Sequence, residues 1–372
     1  MSTFRHPAVV VSHGPGPLWL LSSGFNDEMN KDAPAAKLLS TLFEKLYPND
    51  ENLPKRILFV SAHFESNGRG FEISNAAAPD LIFDYYGFDR EAYDIDYPAK
   101  GDPVFAQRVK EHLEKNNIKA KMVNRGFDHG VFVPMSLIRP QADIPIVTMS
   151  INSYLGNKAH FDLGKALAPF RDEDTLILCS GQSTHNLHAL QSRSPVLIEG
   201  ARAFQSWLDE TLSSESKLSV KERTEEILHW QDEPAAQFAH PTPDHFMPFI
   251  VAAGAGMEDK KPGAKAFFGG WAIGHMSFAN YTWAGALVVL GLPFCKTQIW
   301  GREGAKEGRH GRWWLAARYF AGVGQRRVYG EEHGAEGQDG VSRRRRMMTR
   351  VWRAERIQGR KERKKENAER IR

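Results

Sequence analysis

The chain has 372 residues, of which 41% are hydrophobic and 25% are charged, an ordinary balance for a globular protein with a sizeable core. Its two cysteines, Cys179 and Cys295, exclude a disulfide framework and a cysteine-based zinc site. Cys179 lies in an apolar run and is expected to be a small buried hydrophobe, which fits a reducing, cytoplasmic compartment.

The formal net charge of +4 combines two different kinds of sequence. Residues 284–372 carry 22 basic and 10 acidic side chains, whereas residues 1–283 carry 27 and 35. We expect a catalytic domain over residues 1–283 and a basic, disordered extension over residues 284–372, because so polar a segment cannot offset its ordering entropy by burial. The arginine clusters allow an alternative interpretation, a nucleic-acid-binding arm, but nucleic acid is not the partner we expect.

The first 283 residues alternate short runs rich in Val and Ile with amphipathic stretches. In chain order the predicted elements are a strand at Ala8–Ser12, a helix at Ala35–Leu46, a strand at Arg56–Ser61, a helix at Pro103–Asn116, strands at Ile144–Ser150 and Leu176–Ser180, and a helix at Val196–Leu212. This alternation predicts an α/β fold, a single domain with a mainly parallel or mixed central sheet flanked by helices. Open sheets of this kind bind ligands at the carboxyl ends of their strands.

The stretch Ala266–Phe294 contains no Asp, Glu, Lys or Arg, which raises the possibility of a membrane span. Glycines, His275 and Pro293 interrupt this stretch, and its most apolar part, Ala284–Phe294, is too short to cross a bilayer. The amino terminus also lacks the apolar core of a signal peptide. We therefore expect a soluble chain without a membrane partner.

Histidines follow three of the predicted strands. His13 comes directly after Ala8–Ser12, His63 follows Arg56–Ser61, and His185 lies just beyond Leu176–Ser180. One histidine at a strand end is usually structural, but three at one edge of a sheet indicate a metal site, because neutral imidazole is the commonest metal-binding side chain.

Two further histidines have informative surroundings. Thr242 and Pro243 are typical of a helix start, which would place His245 in the first helical turn, where it could hold a metal or face solvent. His129 lies between Gly126 and Gly130, which predicts a tight turn that points its ring into a cleft or leaves it without a role. The phosphate-binding, dinucleotide-binding, serine-hydrolase and zinc-protease motifs are all absent, so metal chemistry based on histidine is the prediction that remains.

Five motifs and one further stretch resemble those of the class III extradiol ring-cleavage dioxygenases, most closely the DOPA 4,5-dioxygenase branch. The resemblance covers roughly residues 7–281, with similar order and spacing. Each motif is weak alone, and the series is specific. The motifs are Ser12-His-Gly-Pro-Gly, Ser61-Ala-His-Phe-Glu, Gly126-Phe-Asp-His-Gly, Thr184-His-Asn-Leu and Pro241-Thr-Pro-Asp-His-Phe-Met-Pro, and the further stretch is Tyr93-Asp-Ile-Asp-Tyr-Pro-Ala-Lys-Gly101.

The resemblance implies roles for the five histidines. It implies that His13, His63 and His245 bind the metal, that His185 is an active-site acid/base and in some relatives a fourth zinc ligand, and that His129 contacts substrate or oxygen. Many enzymes of the wider class have a glutamate as third ligand, and the DOPA branch has a histidine there. Three neutral ligands do not offset the +2 charge of the metal, which favours binding of an anionic catecholate. The same ligand set makes zinc a possible ion beside Fe(II).

The implied function is therefore an Fe(II)-dependent dioxygenase that opens a small catechol such as DOPA with O2. Two alternatives share the histidines: a zinc-dependent hydrolase, and a zinc-binding relative without dioxygenase turnover. The pattern leaves the oligomeric state open. Aromatic residues near the motifs are expected either to line a ring-sized pocket or to pack in the core; they are Phe64, Phe83, Tyr85, Tyr86 and Phe132.

Overall fold

A computed structural model describes residues 4–22, 24 and 26–283. The strands in this part of the chain are β1 Ala8–Ser12, β2 Arg56–Ser66, β3 Phe71–Ser74, β4 Leu81–Ile82, β5 Ala120–Val123, β6 Phe127–Asp128, β7 Ile146–Asn152, β8 Thr175–Gly181, β9 Lys265–Ala272 and β10 Met276–Trp283. The helices are α1 Pro34–Ser40, α2 Leu42–Leu46, α3 Pro103–Lys115, α4 His129–Ile138, α5 Asn157–Leu167, α6 Pro195–Leu212, α7 Val220–Leu228, α8 Ala236–Ala239 and α9 Met247–Gly256.

Eight of the strands form one mixed sheet, in the order β5-β3-β7-β2-β8-β1-β10-β9. The central strands β7, β2, β8 and β1 are parallel, while β10 and β9 are antiparallel at one side and β3 pairs antiparallel with β7. β4 and β6 form a separate two-stranded ladder. The prediction of an α/β domain with a mainly parallel or mixed sheet is confirmed.

Successive side chains of a strand point to opposite faces of the sheet, and in β1, β7 and β8 the side chains on both faces are buried. In β1, Val10 lies in one hydrophobic cluster with side chains of α3, α5, α6 and α9, whereas Val9 and Val11 lie in a second cluster with side chains of α1, α2 and α4. Helices therefore cover both faces, and the strand ends are the places left for polar side chains.

All four predicted strands are present, and β2 extends furthest beyond its predicted end. β2 continues from the predicted end at Ser61 to Ser66, and its register against β7 shifts between Ser61 and Glu65. His63 therefore lies inside an irregular strand and not beyond its end. Irregularities of this kind change the direction of side chains and are frequent next to functional sites.

The predicted helix Ala35–Leu46 is two helices, α1 and α2. Thr41 separates them, because its hydroxyl donates a hydrogen bond to the carbonyl of Leu38 and competes with the regular helical pattern. The helices predicted at Pro103–Asn116 and Val196–Leu212 are present as α3 and α6.

The last described strand, β10, pairs antiparallel with the first strand, β1, and Trp283 lies opposite Ala8. The described part of Ala266–Phe294 is thus β9 and β10, and among the described residues no helix is long and apolar enough to cross a membrane. The predicted extension, residues 284–372, lies outside the described residues, so its disorder and the nucleic-acid alternative stay predictions.

Candidate metal and active site

The carboxyl ends of β1, β2 and β8 meet at one edge of the sheet because these three neighbouring strands are parallel. His13 directly follows β1, and its backbone amide donates to the carbonyl of Gly181 at the end of β8. Gly14 has a φ of 81°, a conformation that favours glycine, and a side chain there would collide with Trp19. The turn after His13 therefore requires glycine.

His245 is brought to this edge by a short 3-10 turn, Asp244–Phe246, that leads into α9. The predicted start at Thr242 and Pro243 is too early, since Pro243 only precedes the turn. The turn docks on β8 because the amide of Gln182 donates to the carbonyl of His245 at 3.0 Å, and a Cβ on Gly181 would lie 2.3 Å from that carbonyl oxygen. Only glycine permits this approach.

Three imidazole nitrogens converge at the edge. The Nε2 atom of His63 lies 3.2 Å from Nε2 of His13 and 3.2 Å from Nε2 of His245. The three rings offer one ligand atom each within 4.8 Å of one another. Two of the rings, those of His13 and His245, are buried, and that of His63 is partly exposed.

Each of these rings is oriented by a partner on its other nitrogen, Nδ1. Nδ1 of His13 lies 3.0 Å from the hydroxyl of Ser180, which donates its own proton to the carbonyl of Gly130 and therefore accepts from the histidine. Nδ1 of His63 faces Asp84 at 3.2 Å, and Nδ1 of His245 donates to Asp244. Protons held at Nδ1 leave the Nε2 lone pairs directed at one another.

This donor set fits a divalent metal ion. Metal-binding histidines typically donate their second ring N–H to a carboxylate, hydroxyl or carbonyl partner, and all three rings do so. Burial lowers the pKa of His13 and of His245, which keeps these imidazoles neutral. Burial also opposes charge on His63, but the hydrogen bond and negative charge of Asp84, together with Asp128 and Asp244, outweigh it and raise the pKa of that ring.

Asp84 connects two of the histidines. Its Oδ2 faces His63, and its Oδ1 accepts from Nδ1 of His129 at 2.7 Å and from the backbone amide of His129 at 3.0 Å. Burial opposes the charge of this carboxylate, but hydrogen bonds from His129 and His63 outweigh burial and hold the pKa of Asp84 well below its ordinary value. One anionic side chain thus orients both rings.

His129 begins a helix, which corrects the prediction of a tight turn. It is the first residue of α4, and the amide at this helix start is satisfied by Asp84 from a distant loop. Its ring centroid lies 3.9 Å from that of His63 and 5.5 Å from that of His13. The ring of His129 therefore lies beside those of His13 and His63, although the helix was not foreseen, and its contact with substrate or oxygen stays a prediction.

His185 lies against His245 and outside the group of three converging nitrogens. The two rings stack with centroids 3.5 Å apart and planes 9° apart, and Asp244 completes a second compact group with them. Burial, followed by the neighbouring His245, holds the pKa of His185 well below its ordinary value. The five predicted histidines are thus together, and whether His185 is a fourth ligand or an acid/base stays a prediction.

Four supporting residues were missed from the sequence: Asp84, Asp244 and Ser180, which orient histidines, and Arg125. The guanidinium of Arg125 donates to the backbone carbonyl of His63 and to Asp128, and it lies 4.4 Å over the ring of Phe64. Asp244 was recoverable, because it adjoins His245 in sequence. Asp84 carried no local signal.

A cavity of about 180 Å³ opens beside the five histidines, all of which line it. Of the five aromatic residues considered for its wall, Tyr85 and Tyr86 line it. Phe132 and Phe64 are buried, and Phe83 packs against Phe132. An apolar cavity of roughly 150 Å³ accommodates benzene, so this one suits a single substituted ring.

Comparisons with known proteins match the same part of the chain. The family model described as the catalytic LigB subunit of aromatic ring-opening dioxygenase matches residues 7–282. A 4,5-DOPA dioxygenase extradiol of Beta vulgaris is 35% identical over 250 residues, which are 67% of this chain and 88% of that protein. Dioxygenase tasH of Hapsidospora irregularis is 38% identical over 268 residues, 68% and 79% of the two chains.

The similarity extends to a bacterial relative and to a solved structure. A 4,5-DOPA dioxygenase extradiol of Escherichia coli (strain K12) is 30% identical over 258 residues, which are 68% of this chain and 87% of that protein. The crystal structure of an uncharacterized protein from Escherichia coli K12 aligns with a TM-score of 0.55 and 25% identity, covering 75% of this chain and 99% of the other. The matched region runs from β1 to β10.

Proposed function

The chain belongs to the family of the catalytic LigB subunit of aromatic ring-opening dioxygenases, and on that premise we propose that it is an extradiol dioxygenase that opens a catechol ring with O2. The observation that carries the proposal is the convergence of three Nε2 atoms, those of His13, His63 and His245, beside a cavity sized for one ring. DOPA, which the names of several relatives include, is one candidate substrate.

His13, His63 and His245 would hold the metal, which we propose is Fe(II) for turnover. Three neutral imidazoles also suit Zn²⁺, so zinc is the other ion to test. When bound, the ion supplies Lewis-acid polarisation and, as Fe(II), open coordination positions for substrate and O2. Ser180, Asp84 and Asp244 keep the Nδ1 protons in place and so hold the three rings in the binding orientation.

We assign to His185 the task of accepting a proton from a catechol hydroxyl. Its ring lines the cavity, and its stacking on His245 fixes the plane in which it meets a substrate. A positioned general base of this kind contributes about 10²–10⁴-fold. The role of fourth ligand is the alternative, and the metal affinity of a His185→Gln variant separates the two.

We assign to His129 the return of a proton to an oxygen of the ring-opened product. Its Nδ1 donates to Asp84, which leaves Nε2 as the atom available to hold or move a proton at the cavity. Asp84 is anionic and keeps this ring orientation throughout, because it also accepts from the backbone amide of His129.

We also propose a reducing, cytoplasmic setting. It is supported by the low cysteine content of the sequence and by Cys179, which is a free, buried thiol. The expected partners are a small aromatic substrate and O2.

Oxygen consumption by the full chain tests the proposal. The protein would be loaded anaerobically with Fe(II), given catechols that include L-DOPA, and followed with an oxygen electrode and for a yellow ring-opened product. We expect uptake with Fe(II) that is lost in His63→Ala and retained in His229→Ala, which changes an exposed histidine of the surface. Tight zinc binding without oxygen uptake from any catechol would instead favour a zinc hydrolase or a zinc-binding relative without turnover.

A further inference from the structure

The wall of the cavity away from the histidines is mainly apolar. Beyond the five histidines and three residues of the turn after His13, most of the side chains that line it are apolar or aromatic. Examples are Leu18, Leu187, Leu190, Ile273 and Met276. A substituent on a bound ring that points away from the histidines would lie along this wall.

Charge on the wall is nearly absent. Among the described residues that line the cavity none is lysine or arginine, and outside the histidines the charged one is Asp84. Both oxygens of Asp84 already face His63 and His129. The polar side chains that remain, those of Asn26, Tyr86 and Gln191, are uncharged.

A carboxylate on the substituent would be poorly placed here. It would lose water on entering the cavity, and an ion moved from water into a low-dielectric site needs a partner charge to offset that cost. The nearest fixed charge of the wall is Asp84, which has the same sign. A neutral alkyl or aryl group would instead gain by contact with Leu187, Leu190 and Met276.

We propose that the substrate is a catechol with a neutral, apolar substituent, and not an amino-acid catechol or a catechol with a carboxylated side chain. This inference rests on the proposed function and narrows its substrate class. The apolar wall would act as the specificity determinant, while the histidines perform the chemistry.

One positively charged side chain, that of Arg193, lies close to the wall and is the group that would favour a carboxylated substrate. Arg193 does not line the cavity, but its guanidinium donates to the backbone carbonyl of Ile273, which does. Arg193 is exposed and could reach a carboxylate at the rim. The test therefore has to include this side chain.

Three probes with side chains of equal length separate the possibilities: 4-propylcatechol, 3-(3,4-dihydroxyphenyl)propanoate and L-DOPA. For the full chain loaded with Fe(II), we expect kcat/KM for the neutral probe to exceed that for the propanoate by on the order of 10²-fold. Anaerobic binding, followed by tryptophan fluorescence, should show the same order of affinities. Equal or better use of the propanoate or L-DOPA would overturn the inference.

Two variants test the cause of the preference. Leu190→Arg places a cation on the wall and should move the preference toward the propanoate by at least about tenfold, whereas Leu190→Gln removes the same apolar surface without adding charge and should move it by clearly less. Arg193→Gln should change the three probes alike. A selective loss of the propanoate in Arg193→Gln would show that this arginine holds a carboxylate, and the inference would be wrong.

Failure of the inference and failure of the proposed function give different results. If no catechol is turned over, the proposed function fails, and the anaerobic affinities still decide the preference for a neutral side chain. If all three probes are turned over with no advantage for 4-propylcatechol, the dioxygenase stands and the inference fails. Absence of binding by every probe would contradict both.

Discussion

The two ends of the cavity are built in different ways. At the histidine end, the rings of His13, His63 and His245 each have a hydrogen-bond partner on Nδ1, so their orientation is fixed by directional contacts. At the other end, side chains such as Leu187 and Leu190 make contacts that have no preferred direction. The first end is suited to chemistry, which tolerates little displacement, and the second to recognition, which can change by small steps.

Removal of a metal-binding ring should have the largest effect. We expect His63→Ala to lower metal affinity by more than about 10²-fold and to abolish oxygen uptake, because the nitrogen at the centre of the converging group is lost. Metal content after dialysis, measured by mass spectrometry, checks this, with His229→Ala as the control. Full metal content and full turnover in His63→Ala would contradict the proposal that His63 binds the metal.

Loss of the two histidines outside the converging group should spare the metal and slow the reaction. His129→Gln and His185→Gln are each expected to lower kcat by about 10²–10⁴-fold while metal content stays near that of the unchanged protein. Parallel measurement of metal content and kcat checks the split. A drop in metal content for His185→Gln would favour the fourth-ligand role instead.

A smaller effect is expected from Asp84→Asn, which keeps the shape of the side chain and removes its charge. Because Asp84 orients both His63 and His129, we expect metal affinity or kcat to fall by about 10–100-fold. Asp94→Asn, at an exposed carboxylate paired with Arg90, is the matched control. If the two variants have the same metal affinity and kcat, the contacts of Asp84 with His63 and His129 do not contribute to function.

The smallest effect should come from the apolar end. Leu187→Ala removes part of the wall and is expected to raise KM for 4-propylcatechol by about tenfold or less, with kcat unchanged. Steady-state kinetics measures the two constants separately, and Leu187→Met, which keeps the apolar volume, should behave like the unchanged protein. A fall in kcat at constant KM would show that the two ends are not independent.

The histidine end was predictable because its signals are local in sequence. A histidine directly after a Val-rich strand, such as His13, must lie at the strand's carboxyl end, and parallel pairing then brings several such residues together. The alternation of strands and helices gave the fold class for the same reason. Roles within the site came from the family resemblance, since geometry alone does not distinguish His185 from a ligand.

The remaining features depend on contacts between residues far apart in sequence. Asp84 reaches a ring and a helix start 45 residues away, so neither the helix at His129 nor the shared carboxylate has a local pattern. The extension of β2 past Ser61 is set by pairing with β7. The apolar wall is assembled from residues as far apart in sequence as Leu18, in a short 3-10 helix, and Met276, at the start of β10, which no periodicity connects.

The pairing of Ala8 with Trp283 has a consequence for how this chain can be altered. It places the end of β10 beside the amino end of β1. The histidines meet at the other end of β1, which is five residues or about 16 Å away. A tag or a second domain joined after Trp283 therefore starts on the side of the sheet remote from the substrate. Gene fusion at this position should leave substrate entry open, whereas an insertion near Gly14 or Gly181 would not.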